Sequence, residues 1–299
     1  MGTQGHATGP RVMVSALVAL CCLLASACAM PAPAQSPAHP VAGGHPPILI
    51  PPTATPTISP ETLRDAALGC APKAPAPQAQ LVFQATPPSA TSAPPNEVAL
   101  TFDDGPTEQT TPPFLDYLER THTAATFFVE GQYAQLAPDL IRREWQDGFA
   151  IGVHTWDHPD MLQQTVPQMH HQLGDTLKTL HAILGPDACI WLWRPPYGDY
   201  NALVMQVAAS YGLTTVNWDD SGLDWNQPGV QQIADMILRL IHPGSVVLMH
   251  DGPAQREQTL AALPLILAGL KARGLTPVTL PKLLADGGWP GVHVATLAV

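Results

Sequence analysis

Val98-Ala-Leu-Thr-Phe-Asp-Asp-Gly-Pro106 is a short apolar run that stops on two adjacent carboxylates and a Gly-Pro turn. Its length and bounding turn read as a buried strand whose carboxyl end carries reactive groups. The construction recurs along the chain. Ala150–Val153 runs into His154-Thr-Trp-Asp-His-Pro159, Cys189–Trp193 into Arg194-Pro-Pro-Tyr-Gly198, Thr214–Trp218 into the segment from Asp220 to Trp225, and Ser245–Met249 into His250 and Asp251.

Thr126–Val129 and Thr276–Leu280 complete the strand candidates. Helical patterns lie between the strands at Pro113–Arg120, Pro138–Gln146, Val166–Leu184, Ala202–Tyr211, Val230–Ile241 and Gln258–Arg273. Repeated β-α alternation implies an α/β fold with parallel strands and right-handed crossovers. About seven such units fit a distorted or incomplete (β/α) barrel better than an open dinucleotide-binding sheet. No G-x-G-x-x-G or G-x-x-x-x-G-K-[ST] follows any of these strands. In barrels, chemistry collects at the carboxyl ends of strands, where all the clusters fall.

With 13 basic and 24 acidic residues among 299, the formal charge is −11, which repels phosphate backbones and anionic lipid. Nucleic acid is therefore not an expected partner. At the amino end, Arg11 precedes an apolar run from Val12 to Leu24 that is too short to span a bilayer, and small residues then lead into Cys28. Residues 1–28 read as an export signal. Leu24-Ala-Ser-Ala-Cys28 resembles a lipoprotein signal, in which a lipidated Cys28 tethers the protein to a membrane. Ordinary cleavage near Ala27 or Ala29 would instead release it to the periplasm or the medium.

Residues 29–95, rich in Pro, Ala, Thr and Ser, read as an extended spacer with a short helix at Glu61–Leu68 and an apolar interruption at Leu81-Val-Phe83. Residues 96–285 are the expected catalytic domain and 286–299 a tail. Of the five cysteines, Cys70 and Cys189 outlast signal removal and acylation, either as a disulfide or as two free thiols.

The clusters supply a coherent set of groups. Asp103 and Asp104 would point to opposite faces of a regular strand, but a turn beginning there brings both into one cleft. One can then bind a metal while the other stays free as a base. His154 and His158 stand at i, i+4, yet Pro159 disfavours a helix, so they sit on a loop leaving a strand. Two histidines and a carboxylate make a catalytic zinc set with open positions; cobalt or nickel suits the same ligands. Arg194 can grip a carboxylate with two donors. His250 has an intrinsic pKa of about 6.5, and a nearby carboxylate would keep it protonated as an acid.

In that order, Thr101-Phe-Asp-Asp-Gly105, His154-Thr-x-x-His-Pro159, Arg194-Pro-Pro-Tyr-Gly198, Asp224-Trp225 and Leu248-x-His250 resemble the five motifs of the polysaccharide deacetylases of carbohydrate esterase family 4, the NodB-homology domain. The likeness covers about residues 96–285. It implies that Asp103 is the general base, oriented by Arg194, and that Asp104, His154 and His158 hold the metal. Tyr197 would offer its backbone N–H to the oxyanion, Trp225 and Leu248 would wall the acetyl pocket, and His250 would be the acid, tuned by Asp224. The family usually has two residues between the first aspartate of the fourth motif and its Asp-Trp pair, whereas three separate Asp220 from Asp224. Which of Asp219, Asp220 and Asp224 serves the site stays open. Val153 replaces the polar residue that often precedes the first histidine.

The resulting expectation is a monomeric, exported enzyme of the cell envelope that removes N-acetyl, or O-acetyl, groups from a glycan and releases acetate. Two alternatives are an amidase acting on small molecules and a non-catalytic carbohydrate-binding protein; loss of the base or the acid would mark the latter.

Overall fold

The computed structural model describes residues 80–83, 96–287 and 292–293, all within the unit that runs from Ala54 to Val299. The export signal, Cys28, Cys70 and the helix expected at Glu61–Leu68 lie outside the described residues. Cys189 is disulfide-bonded.

The opening stretch forms β2 (Glu97–Asp103), buried along nearly its whole length, as suits a central parallel strand covered on both faces. Parallel to it run β3 (Thr126–Val129) on one side and β8 (Val246–His250) on the other, with Asp103 level with both Phe128 and His250. Beyond β3 follow β4 (Ala150–Val153), β5 (Leu192–Trp193) and β6 (Thr214–Val216). The two-residue β7 (Asp220–Ser221) lies outside β8, and β9 (Thr276–Val278) pairs with the first residues of β2. Helices fill the connections: α1 (Thr111–Arg120), α2 (Gly131–Leu136), α3 (Pro138–Gln146), α4 (Val166–His170), α5 (Thr176–Leu184), α6 (Ala202–Ser210), α7 (Val230–Leu240) and α8 (Glu257–Ala272). Among the described residues, no pairing joins β7 back to the far edge, so the curled sheet is an incomplete barrel.

Several segments depart from the sequence reading. Gln80–Val82, set in the proline-rich spacer, forms β1, which pairs in parallel with β6 and covers its edge. Val292–His293, placed in the tail, forms β10 antiparallel to β1. The strand expected over Thr276–Leu280 ends at Val278. Leu280 instead opens α9 (Leu280–Gly287), where Pro281 is set for the first helical turn and Leu280, Leu283 and Leu284 form one buried stripe. The expected long helix over Val166–Leu184 is interrupted by a π-helical segment, His171–Asp175.

Strand side chains alternate between two cores. On the helix side, Phe102 stacks on Phe127 at 5.3 Å and meets Phe114 edge-on at 5.5 Å. Val98, Leu100, Val129, Ile151, Val153, Trp193, Val247 and Met249 share that layer. Inside the curl, Ala99, Phe128, Leu192, Val216 and Val246 pack with the leucines of α9, which fills the barrel floor. Stepping by two from these inner positions reaches Asp103, Arg194, Trp218 and His250 at the carboxyl rim. Gly152 occupies the inner row of β4 because a Cβ there would meet the Phe128 ring at 2.6 Å; two residues on stands His154.

Candidate active site

At the end of β2 the chain turns sharply. Asp104 has φ 74°, a left-handed conformation uncommon for a residue with a side chain, and this reversal cancels the alternation that would send its carboxylate away from that of Asp103. Asp103 is buried; its Oδ1 accepts a hydrogen bond from Arg194 Nη1 at 2.7 Å, and its Oδ2 lies 3.8 Å from His154 Nε2. Arg194 is itself fully buried, with Nη1 also donating to Thr101 Oγ1 at 2.8 Å and Nε to the Val216 carbonyl at 3.2 Å. Its guanidinium sits 4.2 Å above the Phe128 ring. A buried cation needs this many partners to be tolerated.

His154 follows β4 directly. His154 Nδ1–H donates to the Arg194 carbonyl at 2.8 Å, which aims Nε2 at Asp104 Oδ1, 3.3 Å away. His158 Nε2 lies 3.6 Å from the same oxygen. Thr155 and His158 have φ 70° and 60°, a loop geometry rather than a helix. One donor atom from each of Asp104, His154 and His158 lies within 4.8 Å of the others. Asp104 Oδ1 is buried without a well-formed hydrogen bond. Bonds of about 2.0–2.1 Å in a tetrahedron separate ligand atoms by about 3.3 Å, close to the spacings seen here, so the set fits a divalent cation.

The three groups of the set perturb one another strongly. Burial alone would raise the pKa of Asp104, but contact with His154 and the charges of His250, His154 and His158 hold it well below the usual carboxylate range. His154 is pushed up to about 9, because Asp103 and Asp104 outweigh the effect of burial. His158 is pushed down to about 4 by burial and by the His154 charge, which leaves a neutral imidazole suited to ligation.

Across the cleft, His250 Nδ1–H donates to Asp224 Oδ1 at 2.8 Å, and the His250 backbone N–H reaches Oδ2 at 2.9 Å. Burial would lower the His250 pKa, but this hydrogen bond and the charges of Asp224, Asp104 and Asp103 raise it above its ordinary value. Asp224 is thus the aspartate that reaches the cleft. Asp219 instead accepts the Val246 backbone N–H at 2.6 Å and pairs with His242, and Asp220 is buried in β7. Left-handed residues on both sides, Leu223 and Gln227, make the tight turn that presents Asp224 and Trp225.

A cavity of about 350 Å³ joins these groups. Eight sequence-predicted residues line it: Asp103, Asp104, His154, His158, Tyr197, Trp225, Leu248 and His250. The other two, Arg194 and Asp224, stand behind it, touching Asp103 and the His250 imidazole. Tyr197 is 65% exposed at one lip, with its ring 4.8 Å from that of His158; Trp225 is 43% exposed at the other, 5.5 Å from His250.

Sequence reasoning missed Pro195 and Trp218 in the lining, although Trp218 ends the strand expected over Thr214–Trp218. Gln172 was missed as well. The π-helical segment aims its Oε1 at the Trp156 backbone N–H (2.7 Å), while its Nε2 donates to Asp157 (2.7 Å), clamping the loop between the two histidines. Glu130 lies beside Asp104, its pKa pushed up to about 8 by burial and by the Asp104 charge.

Residues 90–216 match the family model described as polysaccharide deacetylase. A chitooligosaccharide deacetylase of Sinorhizobium fredii is 36% identical over 67% of this chain and 96% of its own length. Among solved structures, the peptidoglycan N-acetylglucosamine deacetylase Bc1960 superposes with a TM-score of 0.63 at 31% identity, over 69% of this chain and 92% of that one. A family 4 carbohydrate esterase of Streptomyces lividans in complex with acetate gives a TM-score of 0.59 at 36% identity, over 66% of this chain and all of that one (100%).

Proposed function

The chain belongs to the polysaccharide deacetylase family, hydrolases of the amide bonds of acetylated polysaccharides, and from that premise we propose that it removes N-acetyl groups from hexosamine units of a glycan outside the cytoplasm. The observation that carries this reading is the opposition, across one cavity, of a carboxylate fixed by arginine and an imidazole fixed by aspartate, with the metal-ligand triad beside them.

A divalent cation held by Asp104, His154 and His158 would polarise the acetyl carbonyl and acidify a water molecule. Zinc is the first choice for this ligand set, with cobalt and nickel close behind. Asp103, with Oδ1 occupied by Arg194, keeps Oδ2 free to take the water proton as oxygen attacks the carbonyl carbon. The backbone N–H of Tyr197, presented by a residue at φ 61°, is assigned to the developing oxyanion. Trp225 and Leu248 enclose the acetyl methyl. His250 then protonates the departing nitrogen, which leaves as a free amine beside acetate. Its raised pKa keeps on the imidazole the proton that the departing nitrogen must collect.

Two exposed aromatic lips suit sugar rings lying across the cavity and so favour a polymer over a small amide. Both the base and the acid are in place, which argues against a purely binding role. Export is part of the proposal: the apolar run from Val12 to Leu24 after Arg11 reads as a signal, and the relatives named above carry glycan substrates in their names.

The test is acetate release from acetylated chitooligosaccharides, peptidoglycan and acetylxylan by chelated protein, with and without added zinc. Zinc-dependent release from an N-acetylated substrate supports the reading. No release from any of them, by protein that binds zinc, would overturn it.

A further inference from the structure

Building on that reading, we propose that the start of α8 is a positioning element: Arg256 and Thr259, one helical turn apart, fix the metal-binding carboxylate and the acid-supporting carboxylate from behind. Arg256 Nη2 donates to Asp104 Oδ2 at 3.3 Å, and its Nε donates to the Gly252 carbonyl at 3.4 Å. Thr259 Oγ1 donates to Asp224 Oδ2 at 2.9 Å. Both residues are buried, and neither lines the cavity.

The division of oxygens is the same in each case. Asp104 gives Oδ1 to the two histidines and Oδ2 to Arg256. Asp224 gives Oδ1 to the His250 ring and Oδ2 to Thr259 and the His250 backbone. Arg256 is the N-cap of α8 and Thr259 lies in its first turn, so the helix start touches both halves of the cleft. The loop leading into it is equally close. The Asp251 and Gly252 N–H groups donate to the Asp103 carbonyl at 3.2 and 3.3 Å, and a Cβ on Gly252 would collide with Asp104. Arg256 acts by presenting Oδ1 of Asp104 in a single orientation, and Thr259 by keeping the Asp224 carboxylate in the plane that His250 needs. Such outer partners of ligating groups characteristically govern affinity.

The test uses the full chain and the variants Arg256→Gln, Arg256→Lys, Thr259→Val and Thr259→Ser. Zinc dissociation constants come from competition with a chelating indicator, and the His250 Nδ1–H signal from proton NMR. Arg256→Gln weakens zinc binding about 10- to 100-fold, with partial recovery in Arg256→Lys, and leaves the His250 signal in place. Thr259→Val does the reverse: zinc affinity is kept, the His250 signal moves, and kcat falls at constant KM, with Thr259→Ser restoring both. Unchanged zinc affinity in Arg256→Gln, or an unmoved signal in Thr259→Val, overturns the proposal. So does parallel loss of both properties together with melting temperature in either variant. If the wild type releases no acetate, the functional reading falls, while the zinc and NMR measurements still decide the positioning role.

Discussion

The two faces of β2 differ in what they do, although they share one backbone. Val98, Leu100 and Phe102 point to the helices and join an aromatic and aliphatic layer. Ala99, Thr101 and Asp103 point into the curl, where the first packs on the floor and the next two meet Arg194. The neighbouring strands repeat the pattern, with the inner rows of β4, β5 and β8 ending in His154, Arg194 and His250. A period of two therefore separates stability from chemistry, and the curl of the sheet brings the inner rows together at one rim.

The strongest way to break this comparison is Asp103→Asn, which keeps an acceptor for Arg194 but removes the base. Turnover should fall by about 10²- to 10⁴-fold with zinc binding retained, measured by acetate release and metal titration. Phe102→Ala, one residue earlier on the other face, should cost about 3–5 kcal/mol of stability in denaturant titration while turnover per folded molecule persists. Gly152→Ala sharpens the contrast, because its Cβ would press on the Phe128 ring beneath Arg194. A loss of about 1–3 kcal/mol accompanied by reduced turnover is expected, unlike an outer-face change.

The smallest effect concerns pH. His250 has a raised pKa and must be protonated to act, so activity should fall as pH rises through a value above 6.5. The same group contributes stability that is full below its unfolded pKa and is lost as pH rises through the folded one. Asp224→Asn removes the main cause of the increase and should move the alkaline limb of the rate profile to lower pH.

Much of this was legible in the chain, because each strand is a short apolar run that ends on its reactive residue. The groups of the site could be named from those endings, while the choice of Asp104 as ligand and Asp103 as base came from the family resemblance. Other features depend on tertiary contacts that no local pattern records. The motif match points to Asp224 but its spacing leaves Asp219 and Asp220 as rivals, and the left-handed turn at Leu223 shows which one reaches His250. Leu81 and Val82 form a strand because β6 offers an edge, not because their proline-rich surroundings favour one. Gln172, Thr259 and the helix-capping Arg256 stand on elements separate from those of the groups they hold, so their roles appear only when the sheet curls.

The most direct test of the central claim is the initial rate of acetate release from acetylated chitooligosaccharides by chelated full chain, before and after one equivalent of zinc, in the wild type and in Asp103→Asn. Zinc should restore release in the wild type and bind without restoring it in the variant. Equal release with and without metal, or equal rates in the two proteins, would contradict the assignment of the inner face to metal-assisted deacetylation.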